Sequence, residues 1–490
     1  MNVWSAVSSR VQPLVSAAVL LAVGLLVAVA RPAAAASLAT GDPRSVSQPS
    51  IPASCTVLTA SLTASNRQFS SSAESSPPDT SRIQSALNGC VGTGKAVVLA
   101  ANGASNAFLA GPLTVGGSEV LVIDSGVTLY ASRNAANYQV SGKPTCGTVA
   151  SSGGGCKPFI TVNGANAGIM GTAGSAGQGL IDGRGDLDLV GQSVTWWDLA
   201  NTAKSGGSQN NPRLIQSNNV NNFTVYDLSL TNSPNFHIVF NGGTGFTVWG
   251  LRIKTPANAR NTDGIDPSGT DVTINNSYIQ DGDDGVAIKA SNFASQNMTI
   301  ENSHFYGTHG ISIGSETNDG VSNILVKNDT LSGKDSSGTT STSDNGLRIK
   351  SDSSVGGLVS TVTYENICMT GIKAPLDFDP FYASGNGSHI PTTPTSWWTA
   401  RRRSARRRAR SPCSRDSVPP SSSASRSRTS TSTRPPPPPR TPLSACSTPI
   451  CRRQAQTSPS PRSPAAAASP RAASRHSPAC EVPDALAFPA

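Results

Sequence analysis

Five segments of this chain open on the same short motif. FTVYDLSL starts at Phe223, FTVWGLRI at Phe246, VTINNSYI at Val272, MTIENSHF at Met298 and ILVKNDTL at Ile324, spaced 23, 26, 26 and 26 residues apart. Each is a short β-branched or aromatic run closed by Asn, Gly, Ser or Asp, and the theme extends from about Val120 to Phe378. A period of this length suits one coil of a solenoid, in which a coil buries its inward side chains only by stacking on its neighbours. Alternation inside the strands, as in Val272 and Ile274 or Val286 and Ile288, fits strands with one face inward. The expected fold is all-β, a right-handed parallel β-helix. One segment breaks the pattern: in DTSRIQSALNGC, Asp79–Cys90, an acidic or hydroxyl N-cap precedes Ile83 and Leu87, with Gly89 as the stop. It is expected to form a short helix that caps the solenoid's N-terminal end, where an open strand edge invites aggregation.

The net charge of +9 suggests affinity for polyanions until its distribution is read. Residues 401–490 hold 17 Arg, no Lys and three acids, Asp416, Glu481 and Asp484, a net of +14, so residues 1–400 carry 9 − 14 = −5. The basicity belongs to a tail that begins near Thr392, rich in Arg, Pro, Ser and Ala and without the apolar residues a core needs. It is expected to be disordered. Two origins suit its composition: a basic arm that binds wall polyanions, or, the favoured reading, translation in a shifted frame of GC-rich DNA, since Lys disappears after Lys373.

At the other end, Arg10, the apolar run Leu14–Ala30 and the small residues Ala33–Ser37 have the three-part layout of a secretory signal. The expected organisation is a signal peptide over 1–36, a lead-in over 37–78, the catalytic β-helix over 79–391 and the tail over 392–490. Export implies an extracellular protein with no membrane attachment after cleavage, and an oxidising compartment for its nine cysteines. Cys55 is expected to pair with Cys90 and Cys146 with Cys156, with Cys480 a possible partner for Cys368. No Cys/His spacing resembles a zinc site, and neither metal, cofactor nor nucleic acid is expected.

Four polar clusters recur at similar phases of successive coils: NTDGID (Asn261–Asp266), DGDDGVAIK (Asp281–Lys289), GTHGISIGSE (Gly307–Glu316) and LRIK (Leu347–Lys350). Coils rise by about one strand spacing, ~4.8 Å. Asp263 and Asp284, 21 residues apart, and Asp284 and His309, 25 apart, can therefore stand side by side. Adjacent carboxylates such as Asp283 and Asp284 repel, which raises the pKa of one, as a general acid beside an ionised base requires. Turn aspartates that merely bind backbone amides are the bland alternative for any one of them.

The order NTD, GDD, HG-x-S-x-GS, RIK resembles the polygalacturonase family of glycoside hydrolases. The flanks GLIDGRG (Gly179–Gly185), WWDL (Trp196–Leu199), NSPNFHIVF (Asn232–Phe240) and VTYENICM (Val362–Met369) agree, and GLRIKSDSS (Gly346–Ser354) is similar to its bacterial branch. The resemblance covers roughly Asp79–Pro391. It implies inverting hydrolysis of the α-1,4 bonds of polygalacturonate, the pectin backbone, by a monomer. It further implies Asp283 as general acid, Asp263 and Asp284 as the pair that activates water, and His309 as the residue that keeps the acid in its working protonation state. Arg348 and Lys350 match the pair that grips a substrate carboxylate, Tyr382 a tyrosine lining that subsite, and Asn261 a residue that orients its neighbours. Two departures stand out: Thr308 replaces a glycine before the histidine, and the coils expected after Tyr382 give way to the tail. Two rivals remain at this point, a calcium-dependent polysaccharide lyase on the same fold and a non-catalytic pectin-binding solenoid.

Overall fold

The computed structural model describes residues 38–382 and residue 389. Its parallel strands stack into three ladders that wind as a right-handed β-helix. The first ladder aligns Leu113, Ile160, Ile215, Ile238, Ile265, Val286, Ile311, Leu347 and Leu376. The second aligns Val97, Leu121, Ile169, Val225, Val248, Ile274, Ile300, Val326 and Tyr364. The third aligns Phe108, Leu129, Ile181, Leu230, Ile253, Ile279, Phe305, Leu331 and Met369. These three inward rows are the core. The five motif starts pair in register, Phe223 with Phe246, then Val272, Met298 and Ile324.

The corner between the second and third ladders repeats one backbone conformation. Asp227, Gly250, Asn276, Asn302, Asn328 and Asn366 all have φ between +48° and +69°, which Asn, Asp and Gly tolerate best. Their amides also bond from coil to coil: Asn366 Nδ2 donates to Asn328 Oδ1 (3.1 Å) and Asn328 to Asn302 (3.4 Å). One step on, Asp329 is fully buried, with Oδ1 accepting from Ser303 N at 2.7 Å and Oδ2 unpartnered. Burial, aided by the charge of Glu301, pushes this carboxyl up to about 8. A raised folded pKa contributes stability that is whole below the ordinary carboxylate value and is lost as pH rises towards 8. Asp329→Asn, neutral at every pH, is therefore expected to gain thermal stability relative to the parent between pH 4.5 and 8.5. Thermal unfolding at both pH values checks this, and an offset that does not change with pH would contradict it.

Thr80–Cys90 is the expected helix, with Ile83, Leu87 and Cys90 buried against the first coils. Its ends differ from expectation. Asp79 does not cap its own helix, because its carboxylate turns to Leu109 N (2.6 Å) and Arg82 Nε (2.5 Å), and the helix runs through Gly89 to Cys90. The Cys55–Cys90 disulfide ties the helix to the first strand, and Cys146 pairs with Cys156, both as expected. The partner proposed for Cys368, the signal segment and the Arg-rich tail lie outside the described residues.

The two ends of the core differ. The first members of the three rows, Leu113, Val97 and Phe108, are at most 1% exposed near the helix, whereas the last, Leu376, is 55% exposed. Among the described residues no strand continues the first ladder beyond Ala374–Tyr382, and Phe378, aligned with buried Ile349, is 45% exposed.

Two features come from residues before the helix. A strap over 39–51 crosses the outer face of the second ladder against the coil order. Ala39 N donates to Thr363 Oγ1 (2.9 Å), Gly41 N to Asn323 Oδ1 (3.1 Å), Asp42 N to Thr299 Oγ1 (3.0 Å) and Gln48 Nε2 to Tyr226 Oη (2.8 Å), and Ile51 packs near Val98, Val120, Val122 and Met170. A clip over 67–74 lies on the third ladder: Glu74 Oε1 is 2.8 Å from Nη1 of fully buried Arg184 and 3.1 Å from Arg133 Nη2, while Arg67 bridges Asp182 and Asp186. Arg184 Nε also donates to Ala131 O at 2.8 Å.

Candidate active site

The first ladder carries the polar clusters on its outer face. Asp263, Asp284 and His309 each stand two residues before the aligned Ile265, Val286 and Ile311, which places them side by side on three successive coils. The backbone ladder reaches this position, with Gly264 N donating to Asp284 O at 2.9 Å. Ser312 and Arg348 share the next outward row, and Lys350 follows two residues on.

Each carboxylate has a distinct environment. Asp283 Oδ1 lies 3.0 Å from His309 Nδ1, and its Oδ2 accepts from Asn261 Nδ2 at 3.3 Å. The other ring nitrogen of His309 meets Thr342 Oγ1 at 2.8 Å. Asp284 is fully buried, with Ser312 Oγ donating to Oδ1 (2.7 Å) and Lys350 Nζ to Oδ2 (2.5 Å). Asp263 is 3% exposed, and its Oδ1 has no hydrogen-bond partner. Beyond Lys350, Arg348 Nε sits 3.0 Å from Asp377 Oδ2, and Arg348 Cζ and Lys350 Nζ are each 5.0 Å from the centre of the Tyr382 ring. All eight residues singled out in the sequence are thus in one neighbourhood. Thr308 does not displace the histidine, because it is buried and its hydroxyl accepts from Gly310 N (3.1 Å).

The electrostatics differ from what the Asp-Asp adjacency suggests. Burial alone would raise Asp283, but the hydrogen bond and charge of His309, the charge of Lys350 and the Asp284 amide outweigh it and hold this carboxyl at about 2. Of Asp263 and Asp283, it is Asp263 that is raised well above the usual range, through burial and the negative charges of Asp283, Asp266 and Asp284. Asp263 is therefore the one of the two that holds a proton more tightly.

Sequence reasoning missed four supporting groups. Asp281 is fully buried, its Oδ1 accepts from Asp283 N (2.9 Å), and burial raises it well above the carboxylate range. Buried His237 is held near 4 by desolvation, so its neutral ring turns Nδ1 to the Thr262 and Asp263 carbonyls (3.0 and 3.1 Å) beneath the Asp263 turn. Asp266, pushed up to about 7 by burial, faces Lys289 Nζ at 3.8 Å, and Lys289 in turn approaches Glu316 at 3.4 Å. The signal for Asp266 and Lys289 was their place one and three residues past the aligned inward positions, visible only with the register in hand.

Asp283, Asp284 and His309 offer ligand atoms within 4.8 Å of one another, a geometry that could hold a cation. Lys350 already sits against Asp284 with its ammonium where such an ion would neutralise that carboxylate.

A solenoid with this file of carboxylates, flanked by a histidine and an Arg–Lys pair, is a glycoside hydrolase. The chain belongs to the glycosyl hydrolases family 28, whose pattern matches residues 112–399. It is 46% identical over 361 residues to an endo-polygalacturonase of Pectobacterium carotovorum subsp. carotovorum, spanning 73% of this chain and 82% of that one. It is 43% identical over 389 residues to a polygalacturonase of Ralstonia solanacearum, spanning 71% of each. The solved polygalacturonase of Erwinia carotovora ssp. carotovora superposes with a TM-score of 0.63 at 42% identity, over 72% of this chain and 86% of that one.

Proposed function

We propose that this protein is a secreted, monomeric polygalacturonase that hydrolyses α-1,4-galacturonosidic bonds of polygalacturonate with inversion. The observation that carries the reading is a cluster of three carboxylates, Asp263, Asp283 and Asp284, beside two cations suited to a substrate carboxylate. Asp283 protonates the leaving oxygen, and Asp263 and Asp284 orient and deprotonate the attacking water. Inversion requires the acid and base to be separated by about 6.5–9.5 Å so that water fits between them.

The low pKa of Asp283 in the free site has a physical resolution in the substrate. A uronate carboxylate bound by Arg348 and Lys350 takes up positive charge that now holds Asp283 down, so binding itself raises the affinity of the acid for a proton. Neutralisation of Lys350 also loosens its grip on Asp284, freeing that carboxylate to face water. A guanidinium holds a carboxylate in a planar, bidentate fashion, while the ammonium supplies a point charge. Arg348→Ala is accordingly expected to raise KM for polygalacturonate about 10–100-fold, the worth of a hydrogen-bonded charge pair, with a smaller effect on kcat. Initial rates over a range of substrate concentration check this, and an unchanged KM would remove Arg348 from the subsite.

The first test of the function is release of reducing ends from polygalacturonate by the purified protein, with and without EDTA. Activity that persists in EDTA is expected, because Asp283 and Asp284 already have partners in His309, Asn261, Ser312 and Lys350. Binding without new reducing ends would favour a pectin-binding solenoid, and EDTA-sensitive formation of products with a C4–C5 double bond would favour a lyase.

A further inference from the structure

The file that holds Asp263 and Asp284 continues away from Arg348 for two more coils. Leu214 N donates to Phe236 O (3.0 Å), His237 N to Asp263 O (2.8 Å) and Gly264 N to Asp284 O (2.9 Å), so Arg213, Phe236, Asp263 and Asp284 succeed one another on neighbouring coils. Arg213 Cζ lies 5.3 Å from the centre of the Phe236 ring, and Lys289 Nζ reaches the same ring at 5.8 Å. Lys289 is engaged by Asp266 and Glu316. Arg213 is held more loosely: its Nη1 donates to the neutral Gln216 amide at 2.8 Å, and Asp266, which its charge helps to hold down, is not hydrogen-bonded to it.

The catalytic acids lie between two arginines. Arg213 stands in their own file two coils before Asp263, about 10 Å away at one strand spacing per coil, and Arg348 stands two coils after Asp284 and three residues further along its strand. Arg213 thus keeps most of its donors available beside the catalytic file, with the Phe236 ring beneath it to hold the guanidinium in place. A guanidinium so held can fork a uronate carboxylate.

We propose that Arg213, seated on Phe236, forms a second uronate-binding subsite, on the opposite side of the cleaved bond from Arg348 and Lys350. This inference rests on the polygalacturonate reading above. Its consequence is that the substrate chain lies across the catalytic acids with a carboxylate anchored on each side, so that bonds inside the polymer are cut.

The test is steady-state kinetics of the parent, Arg213→Gln and Arg213→Lys on polygalacturonate and on oligogalacturonates of increasing length. Arg213→Gln is expected to raise KM for the polymer about 10–100-fold, the worth of a charged hydrogen-bonded contact, with kcat within a factor of about two. Arg213→Lys should recover part of the loss. The penalty should be absent for the shortest cleaved oligomer and appear once the substrate is long enough to reach Arg213, with a matching shift in product lengths. An equal penalty at every length, no penalty at all, or loss of folding in both variants by thermal unfolding would assign Arg213 to structure and overturn the proposal. A parent that releases no reducing ends would instead sink the polygalacturonate reading itself.

Discussion

Asp283→Asn should lose about 10²–10⁴-fold in kcat, the usual contribution of a positioned proton donor, while KM for polygalacturonate stays near the parent value. The amide keeps the shape and can still accept from Asn261, so the contacts that seat the substrate survive and only the transferable proton is removed. The measurement also decides between two carboxyls. Asp263 carries the raised pKa in the free site and Asp283 the lowered one. If Asp263 were the proton donor, Asp283→Asn would relieve the charge that repels it and turnover would remain near native. Near-native kcat in Asp283→Asn would therefore transfer the acid role to Asp263. A collapse of kcat with unchanged KM would instead support a pair in which substrate charge brings Asp283 into play.

The largest expected stability effect lies far from the site. Arg184→Met should cost about 3–5 kcal/mol, since it removes one partner of a buried ion pair and strands the other. Arg184 is fully buried, and Glu74 is 4% exposed with Oε2 already unpartnered, so the carboxylate has little water to turn to. Arg133, at 3.1 Å, offsets part of the loss, which places the effect towards the lower end of that range. Replacing both partners, Arg184→Met with Glu74→Gln, removes the stranded charge and should recover part of the lost stability, as double replacements of buried pairs do. Urea unfolding of the two single variants and the double variant measures the coupling. Additive costs would mean that the pair contributes nothing as a pair.

The coil period and the core were legible because the second and third ladders are regular from Val225 to Val326 and from Leu230 to Leu331, at 23 to 26 residues per coil: even spacing of short apolar strands leaves one solution, stacking. The catalytic residues were legible as clusters through the family resemblance, and Asp263, Asp284 and His309 fell into register as their spacing implied. What could not be read was the outer face around them. On the first ladder the intervals between aligned residues run from 21, between Ile265 and Val286, to 55, between Ile160 and Ile215, because loops of unequal length are inserted there. Counting along the sequence therefore cannot say that Arg213, Phe236 and Asp263 share a file, or that Thr342 meets His309. The order of pKa values was illegible for a related reason. Asp283 and Asp284 are neighbours in sequence, yet it is His309 and Lys350, from other coils, that hold the Asp283 carboxyl down.

The strap over 39–51 changes what kind of object this solenoid is. A stack held only by nearest-neighbour contacts behaves as a one-dimensional array, able to fray one coil at a time from either end. Here Ala39 is fastened to Thr363, 324 residues away, and the next dozen residues fasten one coil after another back towards the start. Fraying at the C-terminal coil must therefore also lift the strap, and lifting the strap uncovers apolar Val120, Val122 and Met170 at the opposite end. The two ends are mechanically linked. The same geometry fixes a sequence of events in time: the part of the chain that is made first can take its place only after the coils made last have formed. Until then it is a loose thread, and its docking is the closing step of assembly.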